Sequence, residues 1–467
     1  MSKEARLLKN TAIIAVGNIF TKCISFFMLP LYTSLLSTTE YGMVDLITTI
    51  VSLGTCLLSL QLEQGIFRHL IDVRDDEKRQ KIYISSGLKL VSIVNLIITF
   101  ISFFALTLVH YKYTEYLILN VLSAVYMAIV LQIARGLGDN FAYSLGSCVN
   151  GSLTVLLNVL FIAGFHWKVE GMLLATLIAT VTSSIVVSLK CHLRRYISFK
   201  TLDKEASIEL LKYSIPLIPN NICWWIVNVS DRIIINLFLN TAANGIYSVA
   251  CKFPSTFSMV TNIFYTAWTE SATENAKEVD SEGYYEHIIN KVVRFYSAVC
   301  ISIIAIMPLA FDILVKKDFK NAYVYIPILL IGALFHSIAD LYCSLYIAFK
   351  MTRKIFKTTI ASAVVNVLIN IIFVKSIKIY AAAISTMMAY MIITIYMHTD
   401  ITRTVRIKYK TSYLMQELTI FFAVLLVYYL RNYWIQLAIV PPIAIISLLQ
   451  NKDIVMLVIN KIFKKRK

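Results

Sequence analysis

Apolar residues in this chain come in long runs separated by short polar punctuation. Between positions 82 and 109, for example, Lys89 is the single charged residue. A helix that crosses a bilayer needs about 20 mostly apolar residues. The runs predict fourteen such helices, at 10–36, 40–69, 81–109, 114–137, 140–165, 169–192, 207–239, 242–269, 286–314, 322–349, 354–374, 377–399, 412–430 and 433–449. A shorter apolar stretch, 454–463, ahead of the basic tail 464–467, reads as interfacial rather than spanning. The fold class expected is therefore all-α and integral to a membrane.

Composition agrees with the pattern. Of 467 residues, 58% are hydrophobic and 15% charged, with a mean hydropathy of +0.71. A soluble domain carries about 25% charged residues, so lipid has to be part of this chain's solvent. The eight cysteines fall in or beside apolar segments without CxxC or Cys/His ligand spacing, so neither a metal nor a disulfide is expected. The first apolar run is too long for the core of a cleaved signal peptide and is expected to remain as the first helix.

Charge then sets orientation. With the N terminus inside, about 31 of the 44 lysines and arginines fall on the inner side and about 8 on the outer. Under the positive-inside rule both termini are cytoplasmic. The net charge of +17 is thereby explained by loops that meet anionic lipid headgroups, and nucleic acid is not called for. The outer connections are short; the longest polar segments, about 193–206 and 270–285, lie inside.

An internal repeat is also present. A shift of 203 positions superposes Leu7, Leu8 and Lys9 on Leu210, Leu211 and Lys212, Asn18 on Asn221, Thr38 on Thr241, and Gly42 on Gly245. Six spans separate the two starts, so both copies share one orientation, as in a parallel transporter repeat. All eight prolines lie within the predicted spans, four of them at 216–308. They read either as bends of a flexing second lobe or as ordinary packing.

Charges inside a bilayer cost about 3 kcal/mol each and usually face a bundle interior or a wet cavity. The candidates are Lys22, Asp45, Glu63, Lys89, Asp231, Arg232, Lys252 and Asp340. In the seventh span Asn221, Trp225, Asn228 and Arg232 follow helical spacing and share one face. Amides bond hydroxyls, indole stacks on sugar rings, and guanidinium forks onto phosphate oxygens. The stripe suits a phosphorylated glycan, or it is polar glue between helices with Arg232 on an acid. A pair of Asp231 with Lys252 is expected to leave Arg232 the freer cation. Asn18 and Lys22 stand four apart in the first span. Asp45 and Glu63, five turns apart in an unbroken second span, share a face, and Glu63 is near enough to Arg68 to pair. His336 and Asp340, also four apart, read as a proton-exchanging couple or as a structural pair. No phosphate-binding loop, zinc-protease or hydrolase motif occurs, so no cofactor is expected and transport has to draw on a gradient or the membrane potential.

Two blocks carry a resemblance. The first, positions 26–67, reads FFMLPLYTSLLSTTEYGMVDLITTIVSLGTCLLSLQLEQGIF; the second, from position 213, reads YSIPLIPNNICWWIVNVSDRIIINLFLNTAANGIYSVACKFPS and continues to AWTE. Together they resemble the polysaccharide-transport family of lipid-linked repeat-unit flippases, within the superfamily that also holds multidrug-and-toxin-extrusion antiporters and lipid II flippases. The resemblance implies an N-lobe of six helices (1–192), a cytoplasmic linker (193–206) and a C-lobe of six helices (207–399) around a central cavity, followed by two appended helices and a basic tail (400–467). It implies an undecaprenyl-pyrophosphate-linked oligosaccharide as substrate, moved from the inner to the outer leaflet of a bacterial cytoplasmic membrane by alternating access, for O-antigen, capsule or a similar polymer. Membrane lipids are further partners, and a polymerase with its chain-length machinery are the candidate protein partners. Cavity cations are expected to hold the pyrophosphate; by position these are Arg232, Lys252 and Lys22, with Lys89 and Arg294 nearer the inner face. Asn221, Trp225, Asn228 and Asn18 are the expected glycan contacts, and Asp45, Glu63, His336 and Asp340 the ion-coupling candidates. Two other readings stand beside this one. A small-cation or drug antiporter of the same superfamily would want an acidic pocket without surplus cations. A polytopic glycosyltransferase or polymerase would want large outer loops, which this chain lacks, so it is not expected to be an enzyme.

Overall fold

The computed structural model describes residues 26–198, 203–274, 281–405, 407–409 and 411–452, and among them every regular element is a helix. In chain order these are α1 (Leu29–Leu35), α2 (Thr38–Leu58), α3 (Leu62–Asp72), α4 (Glu77–Leu108), α5 (Thr114–Gly136), α6 (Asn140–Asn158) and α7 (Lys168–Lys190). They continue as α8 (Lys204–Ser214), α9 (Ile218–Phe238), α10 (Thr241–Glu274), α11 (Ser281–Leu314), α12 (Ile326–Ala348), α13 (Thr352–Ile377), α14 (Ile379–Ile401), α15 (Thr411–Leu430) and α16 (Tyr433–Gln450). Among the described residues, ten helices are long and apolar enough to cross a membrane. Most of the first predicted span, with Asn18 and Lys22, and the interfacial stretch 454–463 lie outside the described residues.

Helix ends are built from local chemistry. The Ser37 hydroxyl accepts from the Glu40 amide while the Glu40 carboxylate accepts from the Ser37 amide, a reciprocal cap on α2. Asp76, Asp139, Asp203, Asn240 and Asn432 cap later helices the same way with one side-chain oxygen. The offset of 203 carries Ser37 onto Asn240 and Glu40 onto Ala243, whose amide donates to Asn240 at 2.8 Å, so the repeat reproduces a cap as well as a handful of identities. Prolines distribute less evenly than the bend reading requires. Pro30 and Pro327 stand in first turns, where no amide is missed, and Pro216 lies in the 3-10 turn before α9. Only Pro254, Pro308, Pro441 and Pro442 are interior to a helix.

The predicted second span is not one helix. Leu60 and Gln61 adopt left-handed conformations, with φ of 51° and 54°, and the chain breaks between α2 and α3. Such a break strands backbone groups, and within protein buried in lipid no water satisfies them. Here side chains do so. Asn95 of α4, itself buried, donates to the carbonyl of Leu58 at 3.2 Å. Gln61 reaches back to the Cys56 carbonyl at 3.4 Å, and the Ser59 hydroxyl accepts from the Gln61 amide at 3.1 Å.

Contacts divide the chain into two compact units, 1–236 and 237–467. In the first, α6 and α7 approach closely at Gly146, whose carbonyl accepts from the Ser183 hydroxyl at 2.6 Å. A side chain at Gly146 would meet Val187, Leu131 and Ser183, the small-residue logic of membrane helix pairs. Asn158 of α6 donates to Tyr32 of α1 at 2.8 Å, and Asn120 of α5 to the Leu173 carbonyl of α7 at 3.3 Å. In the second unit α10 and α12 are stitched by Thr261 to Ser337 at 2.9 Å, Thr269 to Ser344 at 2.8 Å and the Trp268 indole to the Leu341 carbonyl at 3.1 Å. Tyr323 and Tyr428 stack at 4.1 Å, each hydroxyl donating to the other's carbonyl.

Two substitutions test these supports by thermal melting of the full chain in detergent. Gly146→Leu overpacks the α6–α7 seam and is expected to cost about 1–3 kcal/mol. Asn95→Leu strands the Leu58 carbonyl and is expected to cost about 1–2 kcal/mol; a melting temperature equal to that of the unaltered protein would remove Asn95 from the support of the break.

Candidate functional site

The polar face foreseen on the seventh span is the face that α9 turns toward α2. Three rungs join them, running antiparallel. Arg232 Nε lies 2.9 Å from Asp45 Oδ2, the Trp225 indole N–H donates to the Ser52 hydroxyl at 2.8 Å, and the Asn221 amide donates to Gln61 Oε1 at 2.6 Å. Seven residues separate Arg232 from Trp225 and seven separate Asp45 from Ser52, so the first two rungs are two helical turns apart on both partners. The third fits only because the chain breaks at Leu60 and Gln61, which brings the Gln61 amide round to Asn221. Few points of the two backbones come close together; long side chains cross the interval.

This arrangement corrects three expectations. Arg232 is not the freer cation, since its guanidinium is on Asp45, both side chains about 15% exposed, and also donates to the Asn228 carbonyl one turn back at 3.3 Å. Asp45 and Glu63 do not share a face of one helix, because the left-handed pair between them destroys the register. Glu63 does not pair with Arg68, which bonds Asp72 at 2.5 Å. Glu63 sits in the first turn of α3, buried, with Oε2 lacking a hydrogen-bond partner; the positive end of that helix is its electrostatic support.

The remaining candidates lie on several helices. Asn228 is exposed on α9 and donates to the Trp224 carbonyl at 2.8 Å. Asp231 is buried on the neighbouring face. Lys252 is half-buried on α10 of the second unit, where its carbonyl accepts from Ser255 and Thr256. His336 and Asp340 do come together on α12, Nδ1 to Oδ2 at 3.5 Å, with Tyr390 edge-on to the imidazole at 4.5 Å. Arg294 faces Glu417 of α15 at 3.9 Å. Lys89 lines a groove between α4, α5 and α7, away from the Asp45–Arg232 rung. Sequence reasoning missed Gln61 and Ser52; a Ser-x-Gln at 59–61 inside an apolar run was the available signal for the break.

The chemistry assembled along α2, α9 and the break after α2 is that of a polar membrane interior: one guanidinium–carboxylate pair, an indole, a hydroxyl and amides. Among solved structures, the chain is similar to an inward-facing multidrug resistance MATE family transporter of the MOP superfamily, at 15% identity and a TM-score of 0.69, over 83% of this chain and 98% of that one. It is likewise similar to the lipid II flippase MurJ in an inward closed conformation, at 13% identity and a TM-score of 0.73, over 95% of this chain and all of that one. No curated protein matches it in sequence. The family model described as "Polysaccharide biosynthesis protein" matches residues 7–269, more than half of the chain and including every rung of the α2–α9 seam. This all-α, multi-pass membrane protein therefore belongs to the polysaccharide biosynthesis protein family, on a fold shared with MATE transporters and the lipid II flippase.

Proposed function

We propose that the protein is a flippase that moves an undecaprenyl-pyrophosphate-linked oligosaccharide from the inner to the outer leaflet of the bacterial cytoplasmic membrane by alternating access, supplying a surface polysaccharide. The observation that carries the reading is the α2–α9 seam, within the segment that the family model matches. An anion in a membrane interior needs a cation that is already solvated by protein. Arg232 meets that condition, with Asp45 as its resident anion. A pyrophosphate oxygen competes with Asp45 for the guanidinium, and uptake of a proton by the displaced Asp45 carboxylate offsets one unit of the incoming negative charge. Loss of the Arg232–Asp45 rung on binding loosens α2 from α9, while the indole and amides of Trp225, Asn221 and Asn228 are of the types that bond sugar hydroxyls.

Lys252 and Lys22 are the further cations of the proposed phosphate site, and Asn18 a further glycan contact. Asp45, Glu63 and the His336–Asp340 pair are the proposed ion-coupling groups; a carboxylate released from a guanidinium becomes able to take up a proton. The excess of basic residues on one side supports a cytoplasmic location for both termini. The flipped product would pass to a polymerase and its chain-length machinery.

The test is the leaflet accessibility of the lipid-linked oligosaccharide in cells depleted of the protein. The intermediate is expected to accumulate on the cytoplasmic face and surface polymer to vanish. Normal arrival at the outer leaflet would overturn the reading and turn attention to small-cation efflux. In complemented cells, Arg232→Ala is expected to lower export per molecule of protein in the membrane roughly tenfold or more, whereas Asp45→Asn, which removes the competing charge, is expected to raise substrate retention. Unchanged polymer with Arg232→Ala would take Arg232 out of the binding site without touching the flippase reading.

A further inference from the structure

A groove in the first unit is separate from the α2–α9 seam. It occupies about 1260 Å³ between α4, α5 and α7. Helix α5 divides the two regions: Val121 meets Gly54 of α2, whereas Leu122 and Tyr126 line the groove. The walls are apolar and open. Val181, Ile185 and Leu189 of α7 stand four apart and are between 42% and 69% exposed, opposite Ile93 of α4 at 51%. Several polar groups on the floor already have partners. The Ser92 and Tyr126 hydroxyls bond across α4 and α5 at 2.9 Å, and Ser184 donates to the Thr180 carbonyl at 2.8 Å. Such a trench accepts hydrocarbon.

One end differs from the rest. After α7 the chain reverses at His192, with φ of 50°, into a short turn over Leu193–Arg195. Ser85 of α4 then holds the following segment, donating to the Tyr196 carbonyl at 2.7 Å and accepting from the Ser198 amide at 2.9 Å. Leu193 is buried under this clamp, and Arg194 is left exposed at the mouth of the groove. Lys89, one turn along α4 from Ser85, lines the same end. Two cations at one end of an apolar trench, on the side where the chain's basic loops cluster, complement an amphiphile with an anionic head. Basic pockets between membrane helices on that side bind anionic lipid headgroups.

We propose that this groove binds an anionic glycerophospholipid of the inner leaflet, its phosphodiester on Lys89 and Arg194 and an acyl chain along Ile93, Val181 and Ile185. The site is distinct from the one proposed for transport and does not rest on that reading. A lipid seated there ties α4 to α7 and to the start of the segment that joins α7 to α8.

Native mass spectrometry of the full, delipidated chain tests the assignment, with phosphatidylglycerol, phosphatidylcholine and undecaprenyl phosphate as probes. Phosphatidylglycerol is expected to be retained roughly tenfold or more over phosphatidylcholine. The double variant Lys89→Gln with Arg194→Gln is expected to abolish that preference. Ser188→Trp, which fills the trench without altering its charge, is expected to lower retention of both phospholipids, and it carries the test should the double variant fail to fold. Equal retention of the two phospholipids by the unaltered chain, or undiminished phosphatidylglycerol binding in either variant, would overturn the proposal. Stronger retention of undecaprenyl phosphate than of phosphatidylglycerol would also overturn it, by making the carrier lipid the occupant.

Discussion

Away from water, a backbone carbonyl without a partner is among the most expensive features that a membrane protein can carry, and the break between α2 and α3 depends on meeting that cost. Asn95 on the Leu58 carbonyl, Gln61 on Cys56 and Ser59 on Gln61 let the chain leave the helical path at two left-handed residues. Once it does, the Gln61 amide no longer continues the α2 face and instead meets Asn221. The innermost rung between α2 and α9 is therefore a consequence of how the break is satisfied, and the buried Glu63 carboxylate owes its place at a helix N terminus to the same event.

The three rungs differ in kind. Asn221–Gln61 and Trp225–Ser52 are neutral hydrogen bonds, individually worth about 1 kcal/mol or less between membrane helices. Arg232–Asp45 is a pair of opposite charges, mostly shielded from solvent. Removing one member strands the other, which costs far more than the pair itself contributes. The pair therefore holds α2 to α9 more through the penalty of separating its members than through its own net strength.

Much of the architecture was legible in the sequence, because bilayer thickness fixes helix length and apolar runs record it directly. The span predicted at 114–137 is the helix Thr114–Gly136, and that at 377–399 is Ile379–Ile401. Turns were legible where Ser, Asp or Asn precedes a helix. The break at Leu60–Gln61 was marked only by the polar Ser59 and Gln61, since neither glycine nor proline stands there and the groups that stabilise it include Asn95, distant in sequence. The same holds for partners: helical spacing put Arg232 on a polar face, but nothing local to it names Asp45, some 187 positions away. Left-handed helix ends were hidden too. At Lys350 and Arg431 a basic residue stands where glycine is the usual choice, its charge favourable to the C-terminal carbonyls.

The repeat sharpens what the break is for. The offset of 203 equates the two helix starts and their caps, so α2 and α10 begin alike. It equates Gln61 with Phe264 and Glu63 with Thr266, and there the copies part. Helix α10 runs unbroken from Thr241 to Glu274, and Thr266 merely bonds back to the Asn262 carbonyl at 3.1 Å. Duplication alone thus specifies a continuous helix at this position as readily as a broken one. The first copy carries the left-handed pair, the buried carboxylate and three amide or hydroxyl groups that hold them, whereas the second keeps aromatic packing, with Phe264 stacked on Trp268. A packing role is met by the simpler helix; the polar, interrupted version is more costly to build. That asymmetry singles out the α2–α3 junction and the face of α9 beside it as the part of the first unit that duplication of a helix does not by itself account for.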